Sequence, residues 1–349
     1  MMWASCSDNA FVCEPAFVAD RHGAFQWVVA IKGTYMIGHD GRTRLVDEAD
    51  QEPVHLAPEH TGDALKTGLK HECELDYTRR CTDVLLHGHA HAPGGRPATQ
   101  VDVAMQVGPI AKTLRVFGDR QWKRGVTGAN PSAPEPFARM PITYERAYGG
   151  WDIASDDPSD HGFEPRNPVG TGFATSSGRT IGQAVANIEH PGQLIGSWKD
   201  RPEPAGFGPI ARSWSPRREL AGTYDAAWER DRLPLLPQDF DERFFQCAPV
   251  DQQAPGFLRG DEPVVLRNLT PEGELHFRLP IETFVLRTRI NKGWVEQRPE
   301  LHAVTLYADA RRVVMLWKSS LPCHAHRLTI EGTTVLHKPR VRAIGEAVV

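Results

Sequence analysis

A chain of 349 residues has room for one elaborated domain or two of ordinary size, and 40% apolar with 24% charged residues is too apolar for a disordered chain. Forty Lys and Arg against 44 Asp and Glu leave a net charge of −4, which offers no cationic surface to a phosphate backbone and excludes nucleic acid as an expected partner. With 31 glycines and 28 prolines, about one residue in six where average usage gives about one in eight, long helices are disfavoured.

The first ten residues, MMWASCSDNA, hold no basic segment leading into an apolar run, so no secretory signal is expected. The longest strongly apolar stretch, Trp27 to Ile31, is a strand's worth of residues against the ~20 needed to span a bilayer. Both observations point to a soluble, cytoplasmic protein with no membrane partner. Six cysteines (Cys6, Cys13, Cys73, Cys81, Cys247 and Cys323) without a CxxC pair fit a reducing compartment and spell neither a structural zinc motif nor a redox motif.

In chain order, FQWVVAIKGTYMI (Phe25 to Ile37) places Phe25, Trp27, Val29, Ile31, Tyr35 and Ile37 at period two with Gln26, Lys32 and Thr34 opposite, which predicts a half-buried strand. DVLLHGHAHAP from Asp83 continues the pattern, and Val101 to Phe117 reads as a hairpin broken at Gly108 and Pro109. Residues 131–260 then hold 16 of the 28 prolines and four of the nine tryptophans, Trp151, Trp198, Trp214 and Trp228. Proline at that density breaks ladders and helices alike, yet a linker would be poor in aromatics, so this segment reads as ordered, irregular and packed against sheet. Short helices are expected near Pro141 to Ala147 and Asp225 to Arg230. Alternation returns at Val264, with Glu274 to Ile290 after the turn Thr270-Pro271-Glu272-Gly273, and Ala303 to Leu306 pairing with Val313 to Trp317.

Chemistry-bearing residues are few. His87, His89 and His91 share strand parity with Asp83, but same-face residues two apart lie roughly 6.6–7 Å apart and the outer histidines about 13–14 Å, too far for one tetrahedral ion without a bulge. Cys323, His324 and His326 suggest a thiol beside a base, although neighbours on an extended chain point to opposite faces. Glu145 and Asp225 are possible acid and base residues and, more simply, ion-pair members or helix caps, with Arg146 and Arg166 the kind of partners such carboxylates take. No nucleophile elbow, phosphate loop or HExxH helix occurs.

Several segments fall in a familiar order: KGTY (Lys32 to Tyr35), TDVLLHGHAHAPGG (Thr82 to Gly95), KTLRVFGDRQW (Lys112 to Trp122), PFARMPITYERAYGG (Pro136 to Gly150), RNPVGTGF (Arg166 to Phe173), NIEHP (Asn187 to Pro191), PAGFGPIARSWSPR (Pro204 to Arg217), AGTYDAAWERDRLPLLPQDFDERFFQCAP (Ala221 to Pro249) and LRGDEPV (Leu258 to Val264). The series closely resembles the bacterial family catalogued as domain of unknown function 2169, whose members accompany type VI secretion genes, from about Phe25 to Leu321. The resemblance implies an effector adaptor or chaperone: a cytosolic protein that binds a toxin, often one carrying a PAAR-like domain, and helps load it onto the VgrG spike. It assigns no catalytic residue and no cofactor. The chain departs from the pattern at Arg80 and Cys81, where a Lys-Pro pair is common, in its three-histidine strand, and after Pro322.

The expected architecture is mainly β: antiparallel, sandwich-like sheets in one compact unit spanning 1–349, with β regions at 15–125 and 261–340 flanking an irregular Pro/Gly/Trp-rich segment at 126–260 and a few short helices. The expected function is binding without turnover, with no metal, cofactor or small-molecule substrate, and with an effector toxin and the VgrG spike as partners. Aromatics and Arg dominate binding hot spots, which singles out Trp198, Trp214, Arg217 and Trp228. The rival readings are a metal-dependent hydrolase using Asp83, His87 and His89, and a self-assembling part of the secretion apparatus.

Overall fold

The computed structural model describes residues 3–8, 10–125, 128–291, 293–323 and 330–338. Alternation builds its largest sheet, of six strands. Phe25–Ile37 is flanked antiparallel by Val12–Ala19 and Arg312–Pro322, and Thr43–Leu45 pairs with its end. Beyond Arg312–Pro322 lies Glu300–Tyr307, antiparallel, and then Asp83–His87, which runs parallel to it. A second sheet orders Ile188–Glu189, Ile110–Phe117, Gln100–Val107, Pro263–Arg267 and Glu274–Arg278, all antiparallel. A third orders Trp3–Cys6, Ile330–His337, Phe284–Ile290 and Gly293–Gln297, its first pair parallel.

One apolar cluster joins the three sheets. Val29, Ile31, Val84, Leu86, Val304 and Met315 of the first meet Val103, Met105, Leu114, Val116, Leu266 and Phe277 of the second and Leu286 and Val335 of the third. The mainly β, largely antiparallel expectation therefore holds. The two β regions that flank the middle segment in sequence interleave in the fold. The last third inserts Glu300–Tyr307 and Arg312–Pro322 between Phe25–Ile37 and Asp83–His87, so the parallel pairs of the first and third sheets each join a strand from early in the sequence to one from late in it.

Local readings fare unevenly. The hairpin between Gln100–Val107 and Ile110–Phe117 turns at Gly108, whose φ of +52° suits a residue without Cβ. The histidine strand breaks at Gly88 into Asp83–His87 and His89–His91, the latter pairing with Arg139–Pro141. Glu274 to Ile290 is two strands in different sheets, because Leu279 and Pro280 interrupt the ladder. The strand Val12–Ala19, not expected from sequence, carries Pro15 and lies at the sheet edge, where a missing N–H is tolerated. In the middle segment Tyr144–Arg146 is a 3₁₀ turn and Ala226–Asp231 a short helix whose first turn is capped by Asp225. Tyr144, Tyr148, Ile188, Phe207 and Trp214 from this segment are buried, so it is packed structure and not a linker.

Candidate functional site

The core face of the largest sheet uses alternate residues, and the intervening ones form a second face. Lys32, Leu316, Ala303 and Asp83 stand in one row across four strands, and Tyr307 and His87 in another. Ala30, Ala303 and Leu316 pack against Val54 and Leu75, so residues from the stretch after Thr43–Leu45 lie over this face and take it away from water. The polar side chains beneath must then find partners within the protein.

At one end they form a histidine–glutamate cluster. The fully buried Lys32 Nζ donates to Glu52 Oε1 and Glu74 Oε2, each at 2.9 Å, and to the Pro53 carbonyl. Tyr307 donates its hydroxyl to the same Glu52 Oε1 at 3.2 Å. His55 Nε2 lies 3.1 Å from Glu52 Oε1 and its Nδ1 3.1 Å from Glu59 Oε1. His71, paired with Glu59 in a two-stranded ladder, stacks on His55 at 3.9 Å, and His87 stacks on Tyr307 at 5.4 Å while meeting His71 at 5.8 Å. Burial disfavours the charged form, so the His87 imidazole is lowered to about 4 and His71, with His55 adding to the effect, to about 3. In His55 burial acts the same way, but the hydrogen bonds to Glu52 and Glu59 and the charge of Glu74 outweigh it and raise its pKa. The His87 Nε2 is buried and has no hydrogen-bond partner among the described residues.

The other end is an arginine-rich network. Asp83 sits 3.2 Å from Arg79 and accepts from Gln246 Nε2 at 2.7 Å and the Cys247 amide at 2.8 Å. Lys318 donates to Asp76 and to the Tyr77 carbonyl, Arg212 bridges Asp76 and Glu72, and Arg217 pairs with Glu72.

These positions correct the candidate sites. Asp83, His87 and His89 are not brought together: Asp83 belongs to the arginine network, His87 to the histidine cluster, and His89 and His91 both reach Asp309, at 2.7 and 3.0 Å, beside Arg139. The metal-hydrolase set therefore shares no point at which one ion could sit. Trp214 is 4% exposed and edge-on to Tyr144, and Arg217 is held by Glu72 and the Phe244 carbonyl, so both are structural and offer no face to a partner. Trp198 packs partly buried on a small core around Trp122 and Ile195, and Trp228, also partly buried, donates its indole N–H to Leu235 and meets Tyr224. Glu145 accepts the Gly68 amide and Asp225 caps a helix, while Arg146 pairs with Asp119 and Arg166 with Glu164 and Glu203, so the suggested carboxylate–arginine partners do not meet. Cys323 is buried with its thiol pushed up by that burial, and His324 and His326 lie outside the described residues.

The sequence reading missed two features. One is the histidine cluster, whose members are scattered along the chain. The other is the hairpin Trp151–Asp152 with Gly162–Phe163, where Trp151, 56% exposed, stacks on Phe163 at 4.3 Å beside the exposed Ile153. The WD dipeptide between Pro- and Gly-rich flanks was the available signal. Among the described residues no helix is long and apolar enough to cross a membrane.

The fold and its sites thus define a mainly β domain with an aromatic-bearing surface and two buried polar networks. The chain belongs to the family described as an uncharacterized protein conserved in bacteria (DUF2169), whose model matches residues 22–318. No curated protein and no solved structure matches it.

Proposed function

We propose that this chain is a type VI secretion effector adaptor: it binds a toxin in the cytosol, of the kind that carries a PAAR-like domain, and helps load it onto the VgrG spike. The reading rests on the resemblance drawn above, whose family is the one the chain belongs to. The surface observation that carries it is the stacked Trp151–Phe163 pair with Ile153 beside it, three large apolar side chains left in water by the irregular middle segment. Adjacent exposed aromatics of this kind mark protein-binding surfaces, and Trp is the commonest hot-spot residue. An adaptor also has to let its cargo go, which suits a few anchors better than a broad dry interface.

Co-expression with the toxin encoded beside this gene tests the reading. The two should co-purify, and deleting the adaptor should lower the toxin's level or delivery. Trp151→Ala combined with Phe163→Ala should weaken capture by at least about tenfold at an unchanged melting temperature. Failure of the wild-type protein to capture any neighbouring toxin would overturn the adaptor reading itself.

A further inference from the structure

The structure assigns a metal-binding role to the histidine–glutamate cluster, with Glu52, His55 and His71 as ligands of one divalent transition-metal ion of the zinc type. One ligand atom from each of the three lies within 4.8 Å of the others. Ligands about 2.0–2.2 Å from a tetrahedral ion stand about 3.4 Å apart, so movement of roughly an ångström in the side chains closes the set. His71 is the side chain free to make it, since its ring hydrogen-bonds no described residue and is held by stacking on His55. The donor chemistry selects the ion. Two imidazoles and one carboxylate suit zinc and its neighbours, whereas calcium and magnesium need oxygen ligands.

The surroundings are those of a ligand set. Glu59 Oε1 lies 3.1 Å from His55 Nδ1, and a proton on that nitrogen leaves the Nε2 lone pair facing Glu52, the carboxylate–histidine relay that orients metal-bound imidazoles. Lys32 and Tyr307 fix Glu52 through Oε1 alone, and its Oε2 accepts no hydrogen bond from any described residue. His87 adds a second imidazole against His71, with a buried Nε2 that meets no partner among the described residues. Glu52, Glu59 and Glu74 converge here, with the Lys32 ammonium bonded to Glu52 and Glu74 and the Lys70 ammonium within electrostatic reach of His71 and His87, so three carboxylates against two ammonium groups leave negative charge that a dication offsets. The other histidine group lacks this balance, because the Arg139 guanidinium already lies 3.3 Å from Asp309 and 3.1 Å from His89 Nδ1. The expectation of a chain without metal rested on the spacing within one strand, and these ligands come from outside it.

The inference is independent of the adaptor reading, and capture of a toxin neither supports nor weakens it. The test is calorimetric titration of the full chain with Zn²⁺, repeated with Co²⁺ to read its visible d–d absorption. One equivalent should bind with the strong bands of tetrahedral Co²⁺, and His71→Ala should weaken the affinity about 100-fold or more. His91→Asn should leave it unchanged. Melting curves without metal confirm that the variants fold, and His71→Phe, which keeps a stacked ring, replaces His71→Ala if that variant does not. Absence of Zn²⁺ binding in the wild-type protein, binding unaltered by loss of the His71 imidazole, or binding lost in His91→Asn would each overturn the assignment.

Discussion

The two faces of the largest sheet are made by alternate residues of the same strands, yet they are held in opposite ways. On one face Val29, Val84, Val304 and Met315 pack against the second and third sheets, and stability follows the apolar area removed from water. On the other face Lys32, Asp83, Lys318 and His302 are as deeply buried but must be paired one by one. A missing methyl group on the first leaves a cavity. A missing charge on the second leaves its partner buried and unneutralised, which is the more expensive fault.

Asp83→Ala should therefore be the most damaging of the single changes considered, since it strips Arg79 of its counter-ion and the Cys247 amide of its acceptor. A loss of about 3–5 kcal/mol is expected in urea unfolding. A cost under about 1 kcal/mol would show that water already reaches this face. Leu86→Ala, on the apolar face of the same strand, should cost about 2–5 kcal/mol, with the lower end expected if the second sheet relaxes into the space. Equal costs for the two variants would erase the distinction between the faces.

Acid should separate them further. His302 is kept neutral by burial first and then by Lys318 and Arg79, so its folded pKa lies well below the ordinary 6.5. The unfolded chain accepts a proton that the folded one refuses. Stability is thus at its full value above pH 6.5 and declines as the pH falls below it, by up to about 1.4 kcal/mol per pH unit from this group. Unfolding measured from pH 7.5 down to 5 should show this slope added to those of His71 and His87, which burial also keeps neutral, and His302→Gln should lessen it by about the share of one histidine. An identical slope in the variant would place the acid sensitivity elsewhere. The smallest effect belongs to neither face: Trp151→Ala, on the outer hairpin, should change stability by less than about 0.5 kcal/mol while weakening toxin capture.

Period two in the sequence reports that a strand has two unlike faces, and it reported that correctly for Phe25–Ile37 and for the hairpin from Gln100 to Phe117. It does not say whether the polar face is wet. Lys32 and Thr34 read as the solvent side, whereas the structure lays another part of the chain over them. The same gap hid the candidate metal ligands. His55 and His71 lie in a stretch without periodicity, and only tertiary packing carries them to His87. Aromatic identity likewise could not rank the tryptophans, because Trp214 and Trp151 look alike in composition and only the fold buries one and exposes the other.

The interleaving of the chain's two ends in the largest sheet also sets an order in time. Phe25–Ile37 and Asp83–His87 leave the ribosome more than 200 residues before the strands that join them, Glu300–Tyr307 and Arg312–Pro322. At about 5–20 residues per second the open strand edges wait on the order of tens of seconds for their neighbours. Such edges pair readily with other chains, and contacts of long sequence separation form slowly even once synthesis ends. A nascent chain that stops short of Arg312 has no central strand on which to close, so premature termination yields no smaller working domain but an unfinished sheet for the cell's quality control to clear.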